Sequence, residues 1–182
     1  MANRTRHARR NLLPVMAFVC AECGERHSGM PMGYRLEFSV DDYAPGVARF
    51  EREGELVVAG DDRFILANIE LAVKDLPESS FIWTCWVSLS IPSYDRMQRL
   101  WDRRDRERQE PAFGYVSSVL PTYEPSTFAL KSRVHTRAVG LRPRVELEPT
   151  EHPLAIEQRE GISQDRIAAV YHFYQKHADQ DR

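Results

Sequence analysis

Phe81-Ile82-Trp83-Thr84-Cys85-Trp86-Val87-Ser88-Leu89-Ser90 alternates along its whole length and sets the architecture of the chain. At period two, Phe81, Trp83, Cys85, Val87 and Leu89 share one face. Ile82, Thr84, Trp86, Ser88 and Ser90 share the other. The first face is wholly apolar and the second partly so, the pattern of a central strand covered on both sides. Upstream, Ile65, Ala67, Ile69, Leu71 and Val73 alternate in the same way over 64–73, and Glu55 to Ala59 reads as a shorter strand stopped by Gly60-Asp61-Asp62. Downstream, 114–120, 128–139 and 144–148 read as further strands, punctuated by Pro121, Pro125, Gly140, Pro143 and Pro149. The spacers are short. Because a parallel crossover needs about a dozen residues, they predict a mainly antiparallel sheet.

Helical spacing is rarer. Residues 47–52 read as a short helix. Ser93 reads as an N-cap for a helix carrying Tyr94, Met97, Leu100 and Trp101. The run Asp102-Arg103-Arg104-Asp105-Arg106-Glu107-Arg108 mixes both signs, which predicts a solvated, ion-paired face. Glu157 to Gly161 reads as a loop, and Ser163 caps a closing helix with Ile167, Val170, Tyr171 and Tyr174 on one side. The expected fold class is α+β: one domain over 16–182, a mainly antiparallel sheet with packed helices, and an N-terminal zinc-knuckle-like segment.

Composition narrows the class of protein. With 182 residues, 42% hydrophobic and 29% charged, the chain can bury roughly two-thirds of its unfolded surface without a disulfide. No apolar run reaches the roughly 20 residues of a membrane span. Arg4, Arg6, Arg9 and Arg10 make residues 1–15 basic; the remaining 21 basic and 27 acidic residues leave 16–182 mildly acidic. That balance argues against broad nucleic-acid binding. Residues 1–15 are expected to be a disordered basic extension, with Met16 as an alternative start. Pro14 interrupts Leu12–Val19, which argues against a signal peptide. Three cysteines, an odd number, fit a cytoplasmic location better than a secreted disulfide framework.

The chemistry is concentrated in Cys20-Ala21-Glu22-Cys23-Gly24-Glu25-Arg26-His27. Two thiols three positions apart, a glycine and an imidazole four residues later can fold into a knuckle around one metal ion. Zinc is the candidate cofactor. A structural zinc takes four ligands, and this segment offers Cys20, Cys23 and His27. The fourth must come from elsewhere, with His152, His135, an acid or water as the options. His152 is also a catalytic candidate, since Glu148, Glu151 and Glu157 flank it and a carboxylate-oriented imidazole suits a general base. The bland alternatives are a metal-free turn for the knuckle, a surface histidine for His152 and a packed core thiol for Cys85. A nucleophile elbow, a phosphate loop and a dinucleotide fingerprint are all missing from the sequence.

The order of these segments resembles a known family. The knuckle, Ile65–Ser90, Trp101-Asp102 and Phe113-Gly114 make one half of the pattern. Val134-His135, Arg142-Pro143, Glu146 to Ala155 and Glu157 to Ile162 make the other. Together they are similar to the bacterial domain-of-unknown-function family 2199, from about residue 16 onward. The resemblance implies that the paired cysteines and His27 belong to the family pattern. It supplies no activity or substrate. The expected function is a non-enzymatic binding or interaction module with an unidentified protein partner and a structural zinc. The alternative is a zinc-dependent hydrolase in which Glu157 or Glu151 activates a bound water.

Overall fold

The computed structural model describes residues 17–20, 23–37, 50–74 and 76–180; the basic stretch 1–15 lies outside them. The described chain begins with a hairpin, β1 (Ala17–Val19) and β2 (Arg26–Ser28), and continues through β3 (Gly33–Arg35), β4 (Phe50–Glu53) and β5 (Leu56–Ala59). Two long strands follow, β6 (Asp62–Val73) and β7 (Leu76–Leu89). Then come α1 (Ile91–Leu100), β8 (Ala112–Val116), β9 (Lys131–His135), β10 (Arg144–Leu147), α2 (Pro153–Glu160) and α3 (Gln164–Gln180).

β7 is central, as its two-sided pattern requires. One edge pairs antiparallel with β6 from Arg63↔Leu89 to Leu71↔Phe81. Its other edge takes β8 at Val87–Leu89 and β3 at Ile82–Thr84. β6 likewise holds β5 along its first residues and β10 at Asn68 and Ile69. Strands β6 to β10 therefore close into a five-membered barrel. The sheet is mixed rather than simply antiparallel, because β10 runs parallel to β6 and β3 parallel to β7. The first of these follows from counting: in a closed ring of alternating strands with an odd number of members, one neighbouring pair must run the same way.

The inner face of the barrel is the main core. Ile65, Ala67, Ile69, Leu71, Phe81, Trp83, Cys85 and Val87 are all fully buried, together with Val134 and Val145 from the far wall. α2 and α3 add Leu154, Ile167 and Val170 to the same cluster. On the outer side of β6 and β7, Phe64, Leu66 and Trp86 pack with Val57 and Ala59 into a second, smaller cluster. Trp83 and Trp86 thus serve separate cores on opposite faces of one strand.

Three local expectations change. Residues 50–53 are strand rather than helix, because they pair with β5 from Phe50↔Ala59 to Glu53↔Leu56; 47–49 lie outside the described residues. Ser90, not Ser93, caps α1: its side chain accepts the Ser93 amide at 3.4 Å, and Pro92 occupies the first turn. Glu157 belongs to α2 rather than a loop, since Pro153 starts a helix there. Ser163 does cap α3, accepting the Arg166 amide at 3.1 Å.

The charged run after α1 is not wholly solvated either. Arg106 is 3% exposed. Its guanidinium donates to the carbonyls of Trp101 (2.6 Å), Arg137 (2.7 Å), Leu141 (2.7 Å) and Ala138 (3.2 Å). It also lies 4.6 Å from the Trp101 ring centroid. A planar fork of five N–H donors can satisfy that many carbonyls where a lysine cannot.

Candidate metal centre

β1 and β2 pair antiparallel in the register Ala17↔Ser28, Phe18↔His27 and Val19↔Arg26. The turn between them is closed by the Cys20 amide on the Glu25 carbonyl (2.8 Å) and the Gly24 amide on the Cys20 carbonyl (2.9 Å). Gly24 has φ +72°, a left-handed conformation that glycine adopts without a Cβ penalty. The glycine after the second cysteine is therefore what lets the chain reverse so tightly. Cys20 is buried and joins the main core beside Met30, whereas Cys23 stays exposed.

The third member of the site comes from the other end of the chain. His172, on α3, brings Nε2 to 3.3 Å from the Cys20 sulfur. The ligand atoms of Cys20, Cys23 and His172 all lie within 4.8 Å of one another. Tetrahedral zinc, with sulfur at about 2.3 Å and nitrogen at about 2.0 Å, places such atoms roughly 3.5–3.8 Å apart. The group could hold a metal ion, and its two sulfurs and ring nitrogen are the donors a soft ion takes. The Glu25 backbone amide lowers the Cys23 pKa, but desolvation, the Cys20 thiol and the Glu25 carboxylate outweigh it and hold the thiol above its ordinary value.

α3 is positioned by packing. Ile167, Ala168 and Val170 are buried, and the Tyr174 ring stacks on Tyr34 at 4.2 Å and 14°. Tyr34 in turn lies 5.7 Å from Trp83 in β7. Burial and the neighbouring Tyr34 push the Tyr174 phenol up to about 12. An aromatic ladder thus runs from the barrel core to the helix that carries His172.

Among the described candidates, His152, His135 and Glu157 are engaged elsewhere. The side chain of His27 falls outside the described residues. His152 caps α2: its Nδ1 accepts the Leu154 amide at 3.1 Å, and its Nε2 meets the Pro125 carbonyl at 2.9 Å. Both ring nitrogens are committed, which leaves none for a metal. His135, on the outside of the barrel, meets Glu146 at 2.7 Å. Glu157 is held by Arg166 (3.0 Å) and accepts a short hydrogen bond from Tyr123. The Tyr123 hydroxyl also accepts from the Trp83 indole at 3.2 Å, and Arg166 stacks 4.8 Å over the Tyr123 ring. Burial and the Glu157 charge push the Tyr123 phenol well above its usual value. This network ties the 120–127 loop to α2 and α3. Cys85 is the packed core thiol expected, and burial pushes it up to about 12.

Sequence spacing could not find His172, which lies 152 residues from Cys20. One local signal pointed at it. It follows buried Ala168 by one helical turn, so its stripe of α3 faces protein.

A five-stranded barrel with an N-terminal Cys/Cys hairpin closed against a helical histidine defines an α+β protein with a group able to hold a metal ion. The chain belongs to the family of uncharacterised proteins conserved in bacteria known as domain of unknown function 2199, which it matches over residues 19–162. His172 lies beyond the matched segment. No curated relative and no solved structure matches the chain.

Proposed function

We propose that the protein is a non-enzymatic binding module whose N-terminal hairpin is locked to α3 by zinc. Cys20, Cys23 and His172 hold the ion, and His27 is the fourth ligand. The observation that carries this reading is the convergence of the two sulfurs and the His172 ring nitrogen within 4.8 Å. A soft thiolate pair with imidazole suits zinc better than a hard cation. Cys20 roots the ion in the main core. Bound structural zinc contributes on the order of 10 kcal/mol to local folding, more than a three-residue hairpin can supply.

The hydrolase reading draws on one observation, the exposure of Cys23, which leaves that side of the ion open to solvent. Its proposed base, Glu157, is already engaged by Arg166 and Tyr123, which favours the structural reading. X-ray absorption spectroscopy on untagged protein separates the two. Four protein ligands support a structural ion; three plus water revive the enzyme. His27→Ala tests the fourth position directly.

A further inference from the structure

The outside of the barrel carries an aromatic slot beside a row of cations. Phe113 and Tyr115 point outward along β8, edge to face at 5.0 Å, and remain 46% and 41% exposed. Phe128 is 54% exposed and lines the same groove as Tyr115, with a volume of about 340 Å³. Buried Phe64 and Val116 line it too, with the polar groups of Ser88, Ser117 and Asp62. Large exposed aromatics gathered on one face mark a contact surface.

Phe128 is placed there at a conformational cost. Ala129, the next residue, has φ +64°, a left-handed backbone that non-glycine residues rarely adopt. Its amide donates to the Val116 carbonyl at 2.8 Å, and Val116 donates back to Leu130 at 2.9 Å. Those two bonds fix the loop so that the ring stands over the groove. Such strain is concentrated at sites of function.

The neighbouring strand supplies charge. Tyr115 pairs with Lys131 and Phe113 with Arg133 across β8 and β9, and antiparallel partners share a face. β10 continues the row with Arg144 opposite His135 and Glu146 opposite Arg133. Lys131 and Arg133 thus stand beside the aromatics, with Arg144 one strand further on. The acids near them are Glu146, which lies opposite Arg133 and meets His135, Glu148, whose amide donates to the Lys131 carbonyl at 2.9 Å, and Asp62 at the groove.

We propose that this face binds a short single-stranded nucleic acid, one base entering the slot lined by Tyr115 and Phe128 and flanking phosphates meeting Lys131 and Arg133. Each base offers a flat π-face to an aromatic ring, and each is followed by an anion, which is the alternation this surface presents. A duplex hides those faces. The acidic remainder of the chain excludes long tracts of phosphate and leaves a footprint of about three. The inference gives the binding module a partner class but does not depend on the metal, so the two readings fail separately.

The test is fluorescence anisotropy of the full chain with labelled eight-nucleotide oligouridylate and oligothymidylate across 50–200 mM salt. Saturable binding is expected, with a log–log salt slope near −2, since about 0.7 counterions are released per single-strand phosphate. Tyr115→Ala and Phe128→Ala should each weaken it about tenfold, the effect of losing a stacked base. Lys131→Gln should reduce the slope by about 0.7. A duplex of equal length should bind at least tenfold more weakly. Phe128→Leu, which keeps an apolar side chain, guards against misfolding and should weaken binding comparably. The proposal is overturned by absence of binding at 50 mM salt. It is equally overturned by binding that survives both aromatic substitutions, which would assign it to Arg4–Arg10. Capture of a proline-rich peptide in the slot that oligonucleotide cannot displace would make the partner a protein and also overturn it.

Discussion

Replacing Arg106 with methionine should destabilise the protein by about 3 kcal/mol. The guanidinium is buried without a carboxylate and is compensated by four carbonyls and the Trp101 ring. Each charge-assisted bond contributes about 1.5–3 kcal/mol, so a simple sum would exceed 6. Two effects cut it down. Ala138 and Leu141 lie in an exposed loop, so their carbonyls can recruit water once the arginine is gone. Methionine also removes the cost of burying a charge, while its own chain refills part of the space. What remains is the Trp101 and Arg137 carbonyls, left in a half-buried setting, and a loosened 137–142 loop. Urea denaturation would read the change as a midpoint shift of about 1–2 M, for a slope of about 2 kcal/mol/M. Arg106→Lys should do nearly as badly, because an ammonium cannot reach four acceptors spread over two segments. A methionine variant within 0.5 kcal/mol of the parent, as for an ordinary surface change, would refute the claim that this residue clamps the loop. The same loop carries Arg137 and Arg142, which pair with Glu70 and Glu55 at 2.5 Å each in a cleft of about 410 Å³. Loosening the loop should open that cleft to faster amide exchange.

The buried Cys85 thiol makes stability fall at high pH. It ionises near 9.0 when unfolded but only at about 12 when folded. Its contribution is therefore intact below pH 9 and declines by about 1.4 kcal/mol per unit as pH rises above that. Cys85→Ala should flatten the slope between pH 9 and 10 in urea melts; an unchanged slope would show that another group is responsible. Gly33→Ala should detach β3 from β7, since a Cβ there would meet the Ile82 carbonyl oxygen at 2.4 Å. The loss of protection at the Leu36 and Ile82 amides, now bonded to Thr84 and Met32, is the readout in hydrogen exchange. Glu157→Gln keeps the Tyr123 contact but breaks the ion pair with Arg166. It should cost about 1–2 kcal/mol in thermal melts, because the pair is only partly exposed.

Much of the barrel was legible in the alternation of β6 and β7, because a strand buried on its inner face must repeat at period two. The Cys20–Gly24 turn was legible for a similar reason, as a glycine after the second thiol is a local geometric need. What escaped reading was set by long-range contacts. β3, three residues long, was not read as a strand, and β10, read as 144–148, gave no sign of its parallel pairing with β6, far along the chain. β4 was read as helix because its apolar and charged residues fit either period; pairing with β5 decided it. Arg106 sits in a run that looks like solvated charge, and only the folding back of 137–142 buries it. His152 looked ready for chemistry because acids flank it. The extended backbone before Pro153 instead turned its ring into a helix cap.

The proposed ion joins the N-terminal hairpin to α3 through Cys20, Cys23 and His172. Its most direct test is zinc content together with the absorption spectrum of the cobalt-substituted protein, read for the parent and for His172→Ala. One zinc per chain is expected, with thiolate-to-cobalt bands of a tetrahedral site in the parent and at least a tenfold weaker metal affinity in the variant with the barrel still folded. Metal bound with the same affinity and spectrum after His172 is removed would contradict it, as would a parent protein that purifies folded and binds no zinc at micromolar concentration.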